Sequence, residues 1–373
     1  MARKQFLSFL LIFSLLFSCA SALAETDDDD DWDDNVDDAW EMEHPLHSGD
    51  YAYALLDDGT VEITSYGGAD TEIVIPDTLD GKPVTAIGER AFYYSLSLTS
   101  VTIPDSVTHI SQKAFSCCFQ LTSITLPSGL TAIESGTFDL CKSLTTIDIP
   151  DSVAAIADDA FIGCKALQSF TLSPNHPYFF LADGALCRTA DSTLLLYPNA
   201  REPRTYRIPD GITAISAYAF YDCDLLESVV VPDSVTQLPA RAFSGCSALA
   251  SVSLPDSLTE IGTAAFSGCS ALTGIRIPAA ITEIINHTFS GCTSLATLEI
   301  PDSVTKIGDY AFLGCTLLTS IAIPDSVTAI GNGAFSNCTA LTLTVTPDSY
   351  AAEYAQANNI PYTYPDANDW LNN

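Results

Sequence analysis

The chain reads as a β-rich solenoid, a stack of short coils that share one interior. Phenylalanines stand at positions 92, 115, 138 and 161, and again at 220, 243, 266, 289, 312 and 335; every step is 23 residues except that from 161 to 220. Prolines keep the same step at 104, 127 and 150, then at 209, 232, 255, 278, 301 and 324. Within one period Val252 and Leu254 alternate with Ser251 and Ser253, the spacing of a strand buried on one face. One such unit cannot bury its own apolar side, whereas a stack of them can, so a fixed period marks a repeat architecture. At ~4.8 Å per parallel rung, ten coils extend roughly 50 Å.

At the N-terminus, Arg3 and Lys4 precede the apolar run Phe6 to Phe17, and Ala22 to Ala24 offers a cleavage site. Residues 1–24 are therefore expected to be a secretory signal peptide, cut after Ala24. The run is too short for a stable membrane span, and no other long apolar segment follows, so no integral membrane segment is expected. Leu16 to Cys19 faintly resembles a lipoprotein box, but bulky Phe17 stands where a small residue is usual, which argues against a lipid on Cys19. Residues 25–50 hold 13 carboxylates and no Lys or Arg, and read as an acidic disordered linker of self-repelling charge. They lack the glycine and spaced ligands of a formed calcium loop. Residues 365–373 form a tail without a recognisable sorting signal.

The solenoid is expected over 51–364. In each coil a short strand is followed by a Pro-Asp turn such as Pro255-Asp256, where proline presets φ and aspartate can bond nearby backbone. Leu258 and Ile261 begin a second short extended segment. Ala265 and Phe266 plug the interior, and Gly268-Cys269 turns the chain back.

These units resemble the leucine-rich repeats of BspA-like bacterial surface proteins, sharing their Leu-x-x-Val-x-Ile-Pro-x-x-Val-x-x-Ile run and Ala-Phe-x-x-Cys corner from about Tyr51 to Tyr364. Tyr53 to Tyr66 resembles the hairpin that opens such arrays, an N-terminal cap, and Ser349 to Ala355 their closing segment. The resemblance implies a leucine-rich-repeat solenoid with a parallel sheet on one face. Three departures stand out. The first coil carries a five-residue insertion near Asp80 to Pro83. The stretch near 174–208 has aromatic and aliphatic runs bounded by Asp183-Gly184 and Asp191-Ser192, and reads as an inserted hairpin projecting from the rim. In Leu341 to Val345 the apolar positions slip by one, which is expected to turn the side chains to the opposite face.

Nine of the 12 cysteines stand three residues after a corner Phe, at 118, 141, 164, 223, 246, 269, 292, 315 and 338. Stacked in line they suit neither disulfides nor a zinc tetrahedron, and read as buried apolar wedges without a polar partner. The five histidines (44, 47, 109, 176 and 287) show no metal-ligand spacing and read as surface residues. No nucleophile motif or phosphate-cradling loop is visible, so neither catalysis nor a cofactor is expected. The turn aspartates are expected to bond their own turns; a weak cation column through Asp210, Asp233 and Asp256 is the alternative.

Acidic residues outnumber basic ones 47 to 14, a formal charge of −33, which disfavours nucleic acid and anionic lipid as partners. The outward strand positions carry mostly Ser and Thr, with four charges, Asp148, Arg207, Arg276 and Glu299, as the candidate partner-binding residues. The sequence thus points to a secreted or cell-surface binding or adhesion protein; by the resemblance its ligands would be extracellular-matrix or other cell-surface proteins. The alternative is a structural spacer or envelope coat component without a specific ligand. Asn286 and Asn337 would accept sugar only in a eukaryotic secretory route.

Overall fold

The computed structural model describes residues 45–365; the expected signal peptide, Cys19, the expected linker up to His44 and the expected tail beyond Pro365 lie outside the described residues. Each coil contributes two short strands. The first has three residues with only the middle one buried, as Val252 lies between Ser251 and Ser253. Its neighbours pair in parallel and in register, Ser228 with Ser251 and Val229 with Val252. The second has two residues, Glu260–Ile261 pairing in parallel with Gln237–Leu238. The corner is laddered as well, since the Phe243 N–H donates to the Ala265 carbonyl of the next coil at 2.9 Å. It needs left-handed backbone on both sides of the phenylalanine, at Arg241 (φ 58°) and Gly245 (φ 80°), and only glycine adopts this without steric cost.

Inside, the corner phenylalanines form a ladder of stacked rings. Phe266 lies 5.5 Å from Phe243 and 5.7 Å from Phe289, with interplanar angles of 3° and 4°. All three are fully buried, and each such pair contributes roughly 0.5–1.5 kcal/mol beyond its burial.

The first described strand, Leu46–Ser48, pairs antiparallel with Tyr51–Leu55, so ordered structure begins inside the stretch assigned to the linker. Tyr51–Leu55 pairs with Val61–Tyr66, which passes in parallel to Lys82–Ile87 of the first coil. The insertion of that coil is a small hairpin, Thr78–Leu79 against Lys82–Ile87. Its turn residue Asp80 accepts from Ser48 Oγ at 2.9 Å and Tyr53 OH at 2.7 Å, tying the cap to the stack.

The stretch near 174–208 corrects the expectation of a projecting hairpin. It forms three antiparallel strands, Phe179–Ala182, Ala185–Arg188 and Thr193–Leu196, joined first by the two-residue turn Asp183-Gly184. Their side chains alternate between two cores. Phe179, Leu186 and Leu195 pack with the coils before, whereas Ala182, Ala185, Cys187 and Leu194 pack with the coils after. The strands are thus a plate across the solenoid, buried on both faces over most of its width. The plate also restores the stack: Thr193 and Leu194 pair in parallel with Ala214 and Ile215, and Tyr197 stacks on Phe220 at 5.4 Å. Tyr197 stands 23 residues before Phe220, so a tyrosine fills the corner of a coil that counting phenylalanines overlooks.

At the C-terminus the slipped apolar residues do not change face. Leu343 pairs with Ile321 and is fully buried, because the coil has lost one residue rather than rotated. Beyond it the helix Tyr350–Ala357, capped by Ser349, lays Ala351, Ala352 and Ala355 over the core. Tyr354 meets the end of the ring ladder edge-on, 6.3 Å from Phe335. A final strand, Tyr362–Thr363, pairs with Leu343 and Thr344.

Candidate interaction face

The outward residues of the three-residue strands form two columns on one face. Hydroxyls link successive coils along it, Ser123 Oγ donating to Ser100 Oγ and Ser169 Oγ to Thr146 Oγ1, both at 3.3 Å. The plate divides this face, because each face strand elsewhere packs on that of the next coil, whereas Ser169–Thr171 packs against Ala185–Arg188 of the plate. Asp148 lies before the division and accepts from Thr171 Oγ1 at 2.7 Å. Arg207, Arg276 and Glu299 lie after it.

The two arginines are held differently. Arg207 donates to Asp210, the turn aspartate three residues on, at 3.2 Å. For Arg276 that position is Ala279, so its guanidinium reaches back to Asp256 of the preceding coil at 2.5 Å. Glu299 is the register partner of Arg276 across the strands, yet no ion pair within 4 Å forms on it among the described residues. Between them lies a shallow groove of about 670 Å³, lined by Arg276, Ala279, Thr297, Glu299, Ser320 and Ala322. Exposed ion pairs contribute only about 0–1 kcal/mol to stability, so these charges bear on what can dock more than on the fold.

Two of the turn aspartates, Asp105 and Asp151, bond forward to the next coil rather than within their own turns. Asp105 accepts from the Ser128 N–H and Oγ of the next coil, both at 2.9 Å, which holds its carboxyl below the ordinary range. Asp151 likewise accepts from Ser173 Oγ. Asp210 and Asp256 are on arginines, and among the described residues no three His, Cys, Asp or Glu side chains gather as a metal site would require.

The thiols have partners after all. Cys269 Sγ donates to the Phe243 carbonyl at 3.1 Å, Cys246 to Phe220 at 2.9 Å and Cys292 to Phe266 at 3.2 Å, a bond that recurs down the column. Burial pushes the Cys118 and Cys292 thiols up to about 12, so they are poor nucleophiles. Cys338, half-buried at the end of the column, keeps the same bond, donating to the Phe312 carbonyl at 3.0 Å. His176 also departs from the surface reading. It is buried, and its Nδ1 accepts from the amides of Tyr178 and Phe179 at 3.3 and 3.2 Å. Nε2 therefore carries the proton and donates to the Pro150 carbonyl at 3.0 Å.

A further surface cluster lies off the strand face. Exposed Tyr93 and Tyr94 touch at 5.2 Å, Tyr94 meets Phe119 edge-on at 5.4 Å, and Lys142 Nζ sits 4.7 Å over Phe119. The signal for this cluster lies at the corners, where Tyr93, Tyr94 and Phe119 replace the Ser, Gly and Thr of later coils.

A family model described as the BspA type leucine rich repeat region matches residues 71–180 and 208–342 in six copies. Among solved structures, a leucine rich cell surface protein from Faecalibacterium prausnitzii is 31% identical, covering 87% of this chain and 99% of its own, with a TM-score of 0.52. A leucine-rich repeat protein from Eubacterium ventriosum is 24% identical over 78% of this chain and 93% of its own, with a TM-score of 0.60. The pneumococcal vaccine antigen PcpA has the same TM-score at 17% identity, over 87% of this chain and 99% of its own, and shares the fold. No curated protein matches this sequence.

Proposed function

The chain belongs to the BspA-type leucine-rich repeat family, and from that premise we propose that it is an exported protein of the bacterial cell surface that binds protein or cell-surface ligands, extracellular-matrix proteins among them. The binding surface is the outward strand face. One observation carries the reading: Arg276 and Glu299 stand side by side on that face, yet Arg276 turns away to Asp256, leaving Glu299 with no ion-pair partner among the described residues beside a groove floored by small residues. Solenoids bind through such extended faces, and the chain's net charge of −33 favours neutral or basic partners over acidic ones. The F. prausnitzii relative, described as a cell surface protein, supports the location, as does the secretory leader read at residues 1–24.

The test is solid-phase binding of the purified chain to immobilised matrix proteins and to whole cells, at two salt concentrations. Glu299→Lys and Arg276→Glu should each weaken binding about tenfold, while a reversal at Asp302 on the turn should not. Binding that ignores both strand-face reversals would favour the spacer or coat reading, in which the faces recognise nothing specific.

A further inference from the structure

The plate that divides the strand face leaves one strand edge open. Its order is Phe179–Ala182, Ala185–Arg188, Thr193–Leu196 and then Ala214–Ile215, so Phe179–Ala182 is the outermost strand, and no other strand among the described residues pairs with its outer side. The hydrogen-bonding phase of this edge follows from its neighbours. Thr189 N–H donates to the Tyr178 carbonyl at 2.9 Å, so the Tyr178 carbonyl and the backbone groups of Phe180 and Ala182 turn inward to Ala185–Thr189. Phe179 and Leu181 therefore turn theirs outward. The Phe179 N–H is taken by His176 Nδ1 at 3.2 Å. The Phe179 carbonyl and both backbone groups of Leu181 meet no partner among the described residues.

The side chains along this edge are apolar and unusually exposed. Tyr178 is 44%, Phe180 36% and Leu181 40% accessible, although the remaining plate strands are largely buried. A groove of about 440 Å³ runs beside them, with Leu172, Pro174 and Thr189 on its walls. Unpaired strand edges are templates for another strand, and proteins usually blunt them with charge, proline or a bulge. Phe179–Ala182 is short, but it carries no charge, proline or bulge of its own, Pro177 and Asp183 standing only at its flanks.

We infer that Phe179–Ala182 is a strand-addition site, which takes an extended segment of a partner protein as a further strand of the plate. The partner's backbone bonds Leu181 N–H, Leu181 C=O and Phe179 C=O, and its alternate apolar side chains enter the groove beside Phe180 and Leu181. Its flanks are neutral or basic, because the chain that receives it has 47 acidic residues against 14 basic ones. The same charge argues against a second copy as the occupant, and a four-residue edge is a small contact against the ~1,000 Å² that a stable dimer needs. This site is separate from the Arg276–Glu299 groove, and either can stand without the other.

The experiment selects a random dodecapeptide phage library on the purified full chain, then measures the enriched sequences as synthetic peptides. Peptides with alternating apolar residues and no central proline are expected, binding Leu181→Pro and Phe180→Asp at least about tenfold more weakly. Leu181→Lys, which keeps the amide and adds a charge at the groove, serves if the proline variant melts early. Methylating alternate backbone nitrogens of the peptide should abolish binding in one phase and spare it in the other. An absence of enriched peptides, or binding that ignores both the edge variants and backbone methylation, overturns the inference. Sedimentation of the chain alone is the remaining arm: a dimer that Leu181→Pro dissolves would assign the edge to a second copy and overturn the partner segment. Glu299→Lys should leave peptide binding unchanged, so the two surfaces fail separately.

Discussion

Replacing Cys269 by serine and by alanine separates two accounts of the thiol column. The side chain is fully buried and donates to the Phe243 carbonyl at 3.1 Å. That carbonyl also accepts the Cys246 N–H at 3.2 Å, so losing the thiol does not orphan it. Serine keeps a donor on a shorter bond; alanine removes the donor and leaves the sulfur's space empty. If the thiol is only an apolar filler, a buried hydroxyl has no role and serine should fall below alanine by about 1–3 kcal/mol. If the donor matters, serine forms a bond worth roughly 0.5–1.5 kcal/mol and should equal or exceed alanine. Both variants should lie below the native protein, alanine by ~1 kcal/mol or more because it empties a space of about a methyl group, and serine because its oxygen fills that space only in part. Urea unfolding followed by far-ultraviolet circular dichroism reads the order directly, a 1 kcal/mol difference moving the midpoint by about 0.3–1 M at an unchanged slope. The same pair at Cys292, whose thiol donates to Phe266 at 3.2 Å, is the internal check. Serine below alanine at both positions refutes the donor account.

Three further outcomes are expected. Leu195→Ala, on the plate face toward the preceding coils, should cost about 2–5 kcal/mol in the same unfolding assay, whereas a hairpin projecting into solvent would lose almost nothing. Gly68→Ala places a Cβ into the phenol of Tyr66, so it should displace that ring from Phe92 and cost roughly 1–3 kcal/mol, read as lost amide protection in Tyr51–Tyr66 by hydrogen exchange. Burial raises the Asp139 carboxyl above its ordinary value despite Lys113, so the folded state holds that proton more tightly than the unfolded chain and the ionised form costs stability at neutral pH. Asp139→Asn should therefore melt higher than the native protein at pH 7, the gap closing as pH falls through the raised value toward the ordinary carboxylate range; a gap that widens on acidification refutes the assignment.

Period alone was sufficient for the coil, because every unit solves the same problem: an inward residue between two outward ones, a proline turn, and a ring in the corner. That logic placed Val252, Pro255 and Phe266 correctly from their spacing and identified the alternating strand face. It could not determine what depends on contacts between coils. The Cys269 thiol meets a carbonyl 26 residues earlier and Asp105 meets an amide 23 residues later; both partners are backbone groups, which every residue carries, so no residue identity announces them. Tyr197 was hidden because the corner needs only a flat ring that can reach a partner for its hydroxyl, here the Pro203 carbonyl at 3.2 Å, and tyrosine meets that need. The insertion shows the limit most plainly. Its composition announces strands and a two-residue turn, which are local, but whether strands project or lie across the stack depends on whether both faces find apolar neighbours. Leu194 and Leu195 are adjacent in sequence and enter different cores, a difference that exists only once the coils on either side have folded against them.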